Sequence, residues 1–441
     1  MREPKYTSIS RRDMLKLLFS AGAASCLPLK LSAQQPIKAK AKAVIQIWMW
    51  GGPTHIDTFD PKPDAGNDIT GPLNKAIATN VDGIQVNELL PMLAQRADKY
   101  SIIRSMTHGN NGHETAAYMT QSGWMPGGAL VHPSAGAIVS LKNGYDAGYK
   151  GLIPPYIVLT KPQGRFSESG FLGQRFKPFA TGGNPGDPKR FSVEGVVSKD
   201  IGPERQQTRR ELLGQMDTFA KAMAGNPLIS LFDKNANEAW DLILGSAGKV
   251  FDLNLEKQDV RDKYGMNVFG QACLAARRLV ESGVPYVTIN YEGWDTHKQH
   301  FQTMRTKLPQ FDRGMSALLD DLGERGLLDT TIVWAGGEFG RTPRVQWEAP
   351  WNGGRNHFGK VFSHVVAGGG FKGGRVVGST NATGEDVRDR PVYPWDLIGS
   401  MYELLGIDPD GTIQHPQGYA VRVIPGAEEK IPIAGRLKEI M

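Results

Sequence analysis

The chain alternates between short apolar runs and longer stretches of helical spacing. The first run, "AVIQIWMW" (Ala43 to Trp50), is almost continuously apolar and stops at Gly51-Gly52-Pro53. Such a run reads as a strand buried on both faces, the habit of a parallel sheet. "YSIIRSMTH", "PPYIVLT", "VPYVTINYEG" and "TTIVWAGGEFG" supply four more strands, and "SHVVAGGG" with "GRVVGST" a late pair. Between them, "NELLPMLAQRAD" (Asn87 to Asp98), "HETAAYMTQSG" (His113 to Gly123, with Gly123 as stop) and the closing "PWDLIGSMYELLGI" have helical spacing. Residues 203–283 read as a helical insert that ends in a helix covering the sheet. Residues 161–200, rich in Gly, Pro, Lys and Ser, read as a surface excursion able to lie over a site. Strands alternating with helices predict an α/β sandwich with a mostly parallel sheet.

The N-terminus stands apart from this pattern. "SRRDMLK" precedes the apolar "LLFSAGAASCLPL" and the small-residue exit "LSA" at Ala33. That order is an export signal over residues 1–33, and the paired Arg11 and Arg12 resemble the twin-arginine type. Cys26 is a second possible processing point, by lipidation. Residues 34–42, with Lys38, Lys40 and Lys42, read as a linker before a domain at 43–441. The expected location is periplasmic or extracellular.

Removing the signal changes the charge. The whole chain carries 51 Lys/Arg and 45 Asp/Glu, and the first 33 residues hold six and two of these, which leaves a net of +2. That near-balance gives no case for a nucleic-acid partner. No run of eighteen apolar residues occurs, so no transmembrane span is expected in the mature chain. Cys273 is the one cysteine left, which excludes an internal disulfide and a cysteine metal cluster.

Ligands of open α/β sheets bind beyond the carboxyl ends of the strands. Those positions hold His55 and Asp57 after the first strand, and His108 and His113 after the second. Asp295, His297 and His300 follow the fourth, and Glu338 and Arg341 the fifth; Asn356, His357 and His364 come next. Seven of the nine histidines fall in these stretches, a bias that core packing does not explain. Imidazoles with carboxylates and no thiolates suit Zn²⁺, Mn²⁺ or similar ions, and the surplus of candidates allows two. In "GWDTHKQHF", Asp295 is expected to cap a helix that puts His297 and His300 on one face.

"GGPTHIDTFDPKP", "NNGHETAAYMTQSG", "GWDTHKQHF", "EFGRTP" and "GRNHF", in this order behind a twin-arginine signal, resemble the domain-of-unknown-function 1501 family of exported bacterial proteins. That family is sulfatase-like and belongs to the alkaline phosphatase superfamily. The resemblance implies an α/β/α sandwich that hydrolyses small-molecule or polysaccharide esters of phosphate or sulfate. It implies one or two divalent ions (Zn, Mn or Ca), with His55, Asp57, Asp295, His297, His300, Glu338 and His357 as ligands. At the place of the family's nucleophile stands His113, with Thr115 two residues on, and no cysteine is there to mature into formylglycine. Arg341 is expected to hold the developing negative charge while His113, or water activated by the metal, attacks the central atom. The other reading is a non-catalytic, metal-containing envelope protein that binds glycans or a partner.

Overall fold

The computed structural model describes residues 37–162, 168–187 and 246–441, with 204–205, 207–208 and 211–212. The expected signal, and residues 213–245 of the expected insert, lie outside the described residues.

Eight strands form the central sheet: β1 (Ala43–Trp48), β2 (Tyr100–Met106), β3 (Tyr156–Leu159), β4 (Phe179–Ala180), β5 (Tyr286–Asn290), β6 (Thr331–Gly336), β7 (Phe362–Ala367) and β8 (Arg375–Val377). Their order is β8-β2-β7-β6-β1-β5-β3-β4. All neighbours run parallel except β7, which is antiparallel to both β2 and β6. The two late runs are both strands, and they lie on opposite sides of β2.

The apolar runs have no polar face because each strand feeds two cores. Ile45, Ile47, Ile157, Val287, Ile289 and Val333 point to one layer. There they meet α3 (Val268–Glu281) and α4 (His300–Glu324). Their neighbours Val44, Val158, Tyr286, Ile332 and Trp334 point to the other layer, against α2 (Ala135–Asn143) and α5 (Pro394–Leu404). A further helix, α1 (His113–Ser122), packs on α5, where Gly123 sits against Trp395 and Ile398. The expected α/β/α sandwich is the observed fold, and burial on both faces is the reason a parallel sheet reads as unbroken hydrophobic sequence.

Parallel order brings the carboxyl ends of β1, β2, β5 and β6 to one edge. Antiparallel β7 begins at that same edge, so the residues leading into it also arrive there. The described part of the 161–200 excursion supplies the edge strand β4. The described end of the expected linker is docked: Lys40 and Ala41 N–H donate to the Leu404 carbonyl at 2.8 and 2.9 Å, and Ala41 is buried.

The helix expected over 87–98 is only the turn Pro91–Ala94. Its open N–H groups are satisfied from α4, where buried Asp312 accepts from Met92 at 2.9 Å and Leu93 at 2.7 Å. Burial pushes this carboxyl up to about 6, against the pull of those two N–H groups. Asp312→Ala strands both donors, so a loss of about 1–3 kcal/mol in unfolding free energy is expected by urea titration. A loss under ~0.5 kcal/mol would show that the turn does not depend on this tie.

Candidate metal centre

The centre is built around Asp295, in the turn after β5. Its Oδ1 lies 3.0 Å from His297 Nε2 and 3.1 Å from His357 Nε2, and its Oδ2 lies 3.3 Å from His113 Nε2. The nitrogens of His297 and His357 are 2.9 Å apart. His113, Asp295 and His357 offer ligand atoms that all lie within 4.8 Å of one another, and they are the one such group among the described residues.

The outer ring nitrogens fix the tautomers. His113 Nδ1–H donates to Glu338 Oε1 at 2.7 Å. His357 Nδ1–H donates to the Asn111 carbonyl at 2.8 Å, and His297 Nδ1–H to Asn356 Oδ1 at 3.1 Å. Each imidazole thus spends one nitrogen outward and turns Nε2 toward Asp295, the arrangement of metal-ligating histidines with oriented outer partners. The Nε2 atoms of His297 and His357 both face Asp295 Oδ1, with their Nδ1 atoms paired outward, so a cation would meet both nitrogens and the carboxylate together. The residues therefore fit a divalent ion.

Without an ion, a proton takes its place on His113. Hydrogen bonds to Asp295 and Glu338 outweigh partial burial and raise His113 to about 9. Partial burial works against the charged form of Asp295, but His113, His357 and Arg341 hold it well below the usual carboxylate range.

Local sequence explains the placement. α1 starts at His113 and stops at Gly123, whose φ of 74° is a left-handed conformation that glycine adopts freely. The indole of Trp50 stacks beside His113, centroids 5.5 Å apart and planes 20° from parallel. His357 lies on a two-residue ribbon, paired in antiparallel register with Arg341.

Three sequence expectations change here. First, α4 begins at His300, after Gln299 at φ 49°, so Asp295 sits in an open turn and caps no helix. His297 and His300 consequently part company. His297 joins the centre, while His300 turns inward, its Nε2 2.8 Å from Asp57 Oδ2 and its Nδ1 2.6 Å from Thr296 Oγ1.

Second, His55 and Asp57 are not brought to the cluster either. Asp57 is fully buried and paired with Arg355, Nε to Oδ2 at 3.0 Å and Nη2 to Oδ1 at 3.3 Å. Burial raises its pKa, but the charges of Arg355 and His300 outweigh this and hold it low. His55 Nε2 meets the Gly384 carbonyl at 2.9 Å.

Third, Arg341 has no exposed surface and is bonded to the central carboxylate and to backbone. It donates to the carbonyls of Gly51 (2.9 Å), Gly52 (3.3 Å) and Arg355 (3.3 Å), and to Asp295. Its guanidinium anchors the central carboxylate instead of waiting for a substrate.

Glu338 is also fully buried. The Gly51 N–H lies 3.0 and 3.2 Å from its two oxygens. Two strand-end histidines outside the cluster hold its turn. His108 Nε2–H donates to the Glu338 carbonyl at 2.7 Å, and its Nδ1 accepts from Asn110 N–H. His364 Nε2–H donates to the Gly337 carbonyl at 2.9 Å, and its Nδ1 accepts from Trp334 Nε1–H. Burial lowers both to about 4, so both are neutral, as these bonds require.

Sequence reasoning missed Arg355, Asn111 and Thr296 as parts of this framework. Arg355 lies inside the "GRNHF" motif, but nothing local marks a partner 298 positions away.

Among solved structures, similar chains include a lipoteichoic acid synthase from Listeria monocytogenes, 9% identical, which covers 84% of this chain and 73% of its own at a TM-score of 0.35. A protein in the alkaline phosphatase superfamily from Vibrio parahaemolyticus is 11% identical, with 91% and 76% covered and a TM-score of 0.39. A phosphonate monoester hydrolase from Silicibacter pomeroyi is 9% identical, with 85% and 74% covered and a TM-score of 0.37. No curated protein matches the sequence. Residues 41–431, nearly all of the domain that carries the centre, match the family described as "Protein of unknown function (DUF1501)", and the chain belongs to that family.

Proposed function

We propose that the chain is an exported, metal-dependent hydrolase of phosphate or sulfate esters. The observation that carries this reading is the convergence of three imidazole Nε2 atoms on the Asp295 carboxylate, each imidazole held by an outer oxygen. The motif resemblance supplies the reaction class, and the twin-arginine pattern supplies export. No helix among the described residues is long and apolar enough to cross a membrane.

A divalent ion bound at these residues supplies Lewis-acid polarisation of the ester oxygen. His113, His357, His297 and Asp295 are the residues that would hold it. His113 aims Nε2 inward, so it serves here as a ligand and not as the attacking group expected from its sequence position. Thr115, the other expected candidate, has its hydroxyl committed to Asn110 Oδ1 at 2.8 Å. Water is therefore the attacking group in this reading. α1 begins at the centre with no side-chain cap, and its first N–H groups suit an anionic ester oxygen, the role that buried Arg341 does not fill. Trp50 beside His113 limits the approach of bulk water from that side.

The commitment of Arg341 to Asp295 and to backbone carbonyls favours the second reading, a metal-containing binding protein of the cell envelope. One experiment separates the two. The mature protein is assayed for bound metal and for turnover of phosphate monoesters, phosphate diesters and sulfate esters. Turnover that needs the metal and disappears in Asp295→Ala and His357→Ala is the expected result. Metal bound without turnover of any ester class would leave the binding protein, and metal content unchanged in both variants would remove the centre itself.

A further inference from the structure

The same edge of the sheet also indicates how many ions the centre takes and of what kind. A second ion needs ligands of its own, and the other strand-end ligand candidates among the described residues are buried in contacts of their own. Glu338 is fully buried; one Gly51 N–H is shared between its two oxygens, and Oε1 also accepts from His113, which holds the carboxylate behind that ring. Asp57 and His300 are closed in with Arg355, and His55 is turned to Gly384. The end of β1 cannot contribute either. A Cβ at Gly51, where φ is 106°, would lie 2.2 Å from the Asp295 nitrogen, so no side chain fits there.

The donors that remain are mostly imidazole nitrogens. Three imidazole nitrogens and one carboxylate converge, with three outward N–H groups already paired. His297 lies outside the group gathered within 4.8 Å, but its Nε2 meets the same Asp295 oxygen as His357. Calcium takes six to eight oxygen ligands, a demand that a nitrogen-rich set does not meet. Imidazoles with one carboxylate suit zinc and cobalt.

We infer that the centre holds a single divalent ion of the zinc kind, with Glu338 outside its coordination shell, where it orients His113. This rests on the metal-centre reading above. Glu338 is then a positioning residue: it fixes which nitrogen of His113 is free and where that nitrogen points. An orienting carboxylate of this type changes metal affinity by about 10–100-fold without changing the number of ions.

The test titrates metal-free mature protein separately with zinc, cobalt and calcium, reading stoichiometry by calorimetry and the cobalt site by visible absorption. The expected result is one zinc or cobalt per chain, and calcium bound at least about 100-fold more weakly. Glu338→Gln keeps an acceptor for His113, so it should still bind one cobalt with a similar spectrum, at a dissociation constant about 10–100-fold higher. His357→Ala should lose the spectrum. Two ions per chain, a preference for calcium, or complete loss of binding in a folded Glu338→Gln protein overturns the inference and leaves the metal reading in place. Failure of the wild-type protein to bind any of the three ions overturns both. If Glu338→Gln does not fold, the wild-type stoichiometry and ion preference still decide.

Discussion

Replacing Arg355 by methionine should lower the unfolding free energy by about 3–5 kcal/mol, the usual cost of stranding one charge of a buried pair. Arg355 has no exposed surface, and its first partner, Asp57, has none. The guanidinium also donates to the carbonyls of Ile69 (2.7 Å), Thr342 (3.0 Å) and Pro343. It therefore ties the segment after β1 to the turn that presents His357. Methionine fills the volume but leaves these acceptors and the carboxylate unanswered. The folded pKa of Asp57 is depressed, so its contribution is present above the ordinary carboxylate range and is lost as pH falls through that low value. In the variant, His300, hydrogen-bonded to Asp57, is the main remaining group able to balance it, with His55 nearby. Burial holds His300 below its ordinary value, with Arg355 adding to that effect. Removing Arg355 lifts one restraint, so the imidazole is easier to protonate. The deficit should be largest above pH 7 and should shrink toward pH 5. Denaturant titrations at the two pH values check this, and a deficit below ~1 kcal/mol at pH 8 would show that Asp57 is not kept charged by Arg355. Asp57→Asn added to Arg355→Met should recover part of the loss, since it removes the stranded charge.

The fold was legible where one residue determines one local outcome. Apolar runs that stop at glycine became strands, and Gly123 ended α1 at the expected place. The candidate site was half legible for a related reason. Parallel strands deliver their carboxyl ends to one edge, so counting titratable groups after each strand gathered Asp295, His113, His297, Glu338 and His357 into one list. The same count also gathered Asp57, His300 and Arg341, and it could not sort the two sets. Sorting depends on Arg355 reaching back to Asp57, and on Gln299 adopting a left-handed conformation that delays α4 to His300. Neither is a property of a short window. His108 and His364 show the same limit from the other side. They look like ligands by position, yet each is a neutral imidazole, His364 buried and His108 partly so, whose bonds hold the Gly337–Glu338 turn. A histidine at a strand end can thus be part of the scaffold behind the Asp295 cluster as readily as a member of it.

Ion binding should weaken by about 100-fold when the pH falls from 8 to 6, through the single proton on His113. In the metal-free protein, His113 is held at about 9 by Asp295 and then Glu338, so at pH 8 the nitrogen that would face the ion already carries a proton. An entering ion displaces that proton, and each unit of pH below 9 costs a factor of about ten. The sign for stability follows from the same shift. A raised folded pKa gives the metal-free protein a contribution that is complete below the ordinary histidine value of about 6.5 and is lost as pH rises through 9. Proton and ion therefore stabilise the same arrangement at opposite ends of the range. The metal-free protein should lose thermal stability from pH 6.5 to 9.5, and the ion-saturated protein should not. Zinc affinity measured by chelator competition at pH 6, 7 and 8, beside melting curves with and without zinc, tests both. An affinity constant across that range would mean that no proton leaves when the ion enters, and His113 would then lie outside the coordination shell. Retention of the slope in His113→Ala would assign the proton to another ligand. Loss of the slope in that variant would place His113 on the ion, the role for which its paired Nδ1 and inward Nε2 suit it.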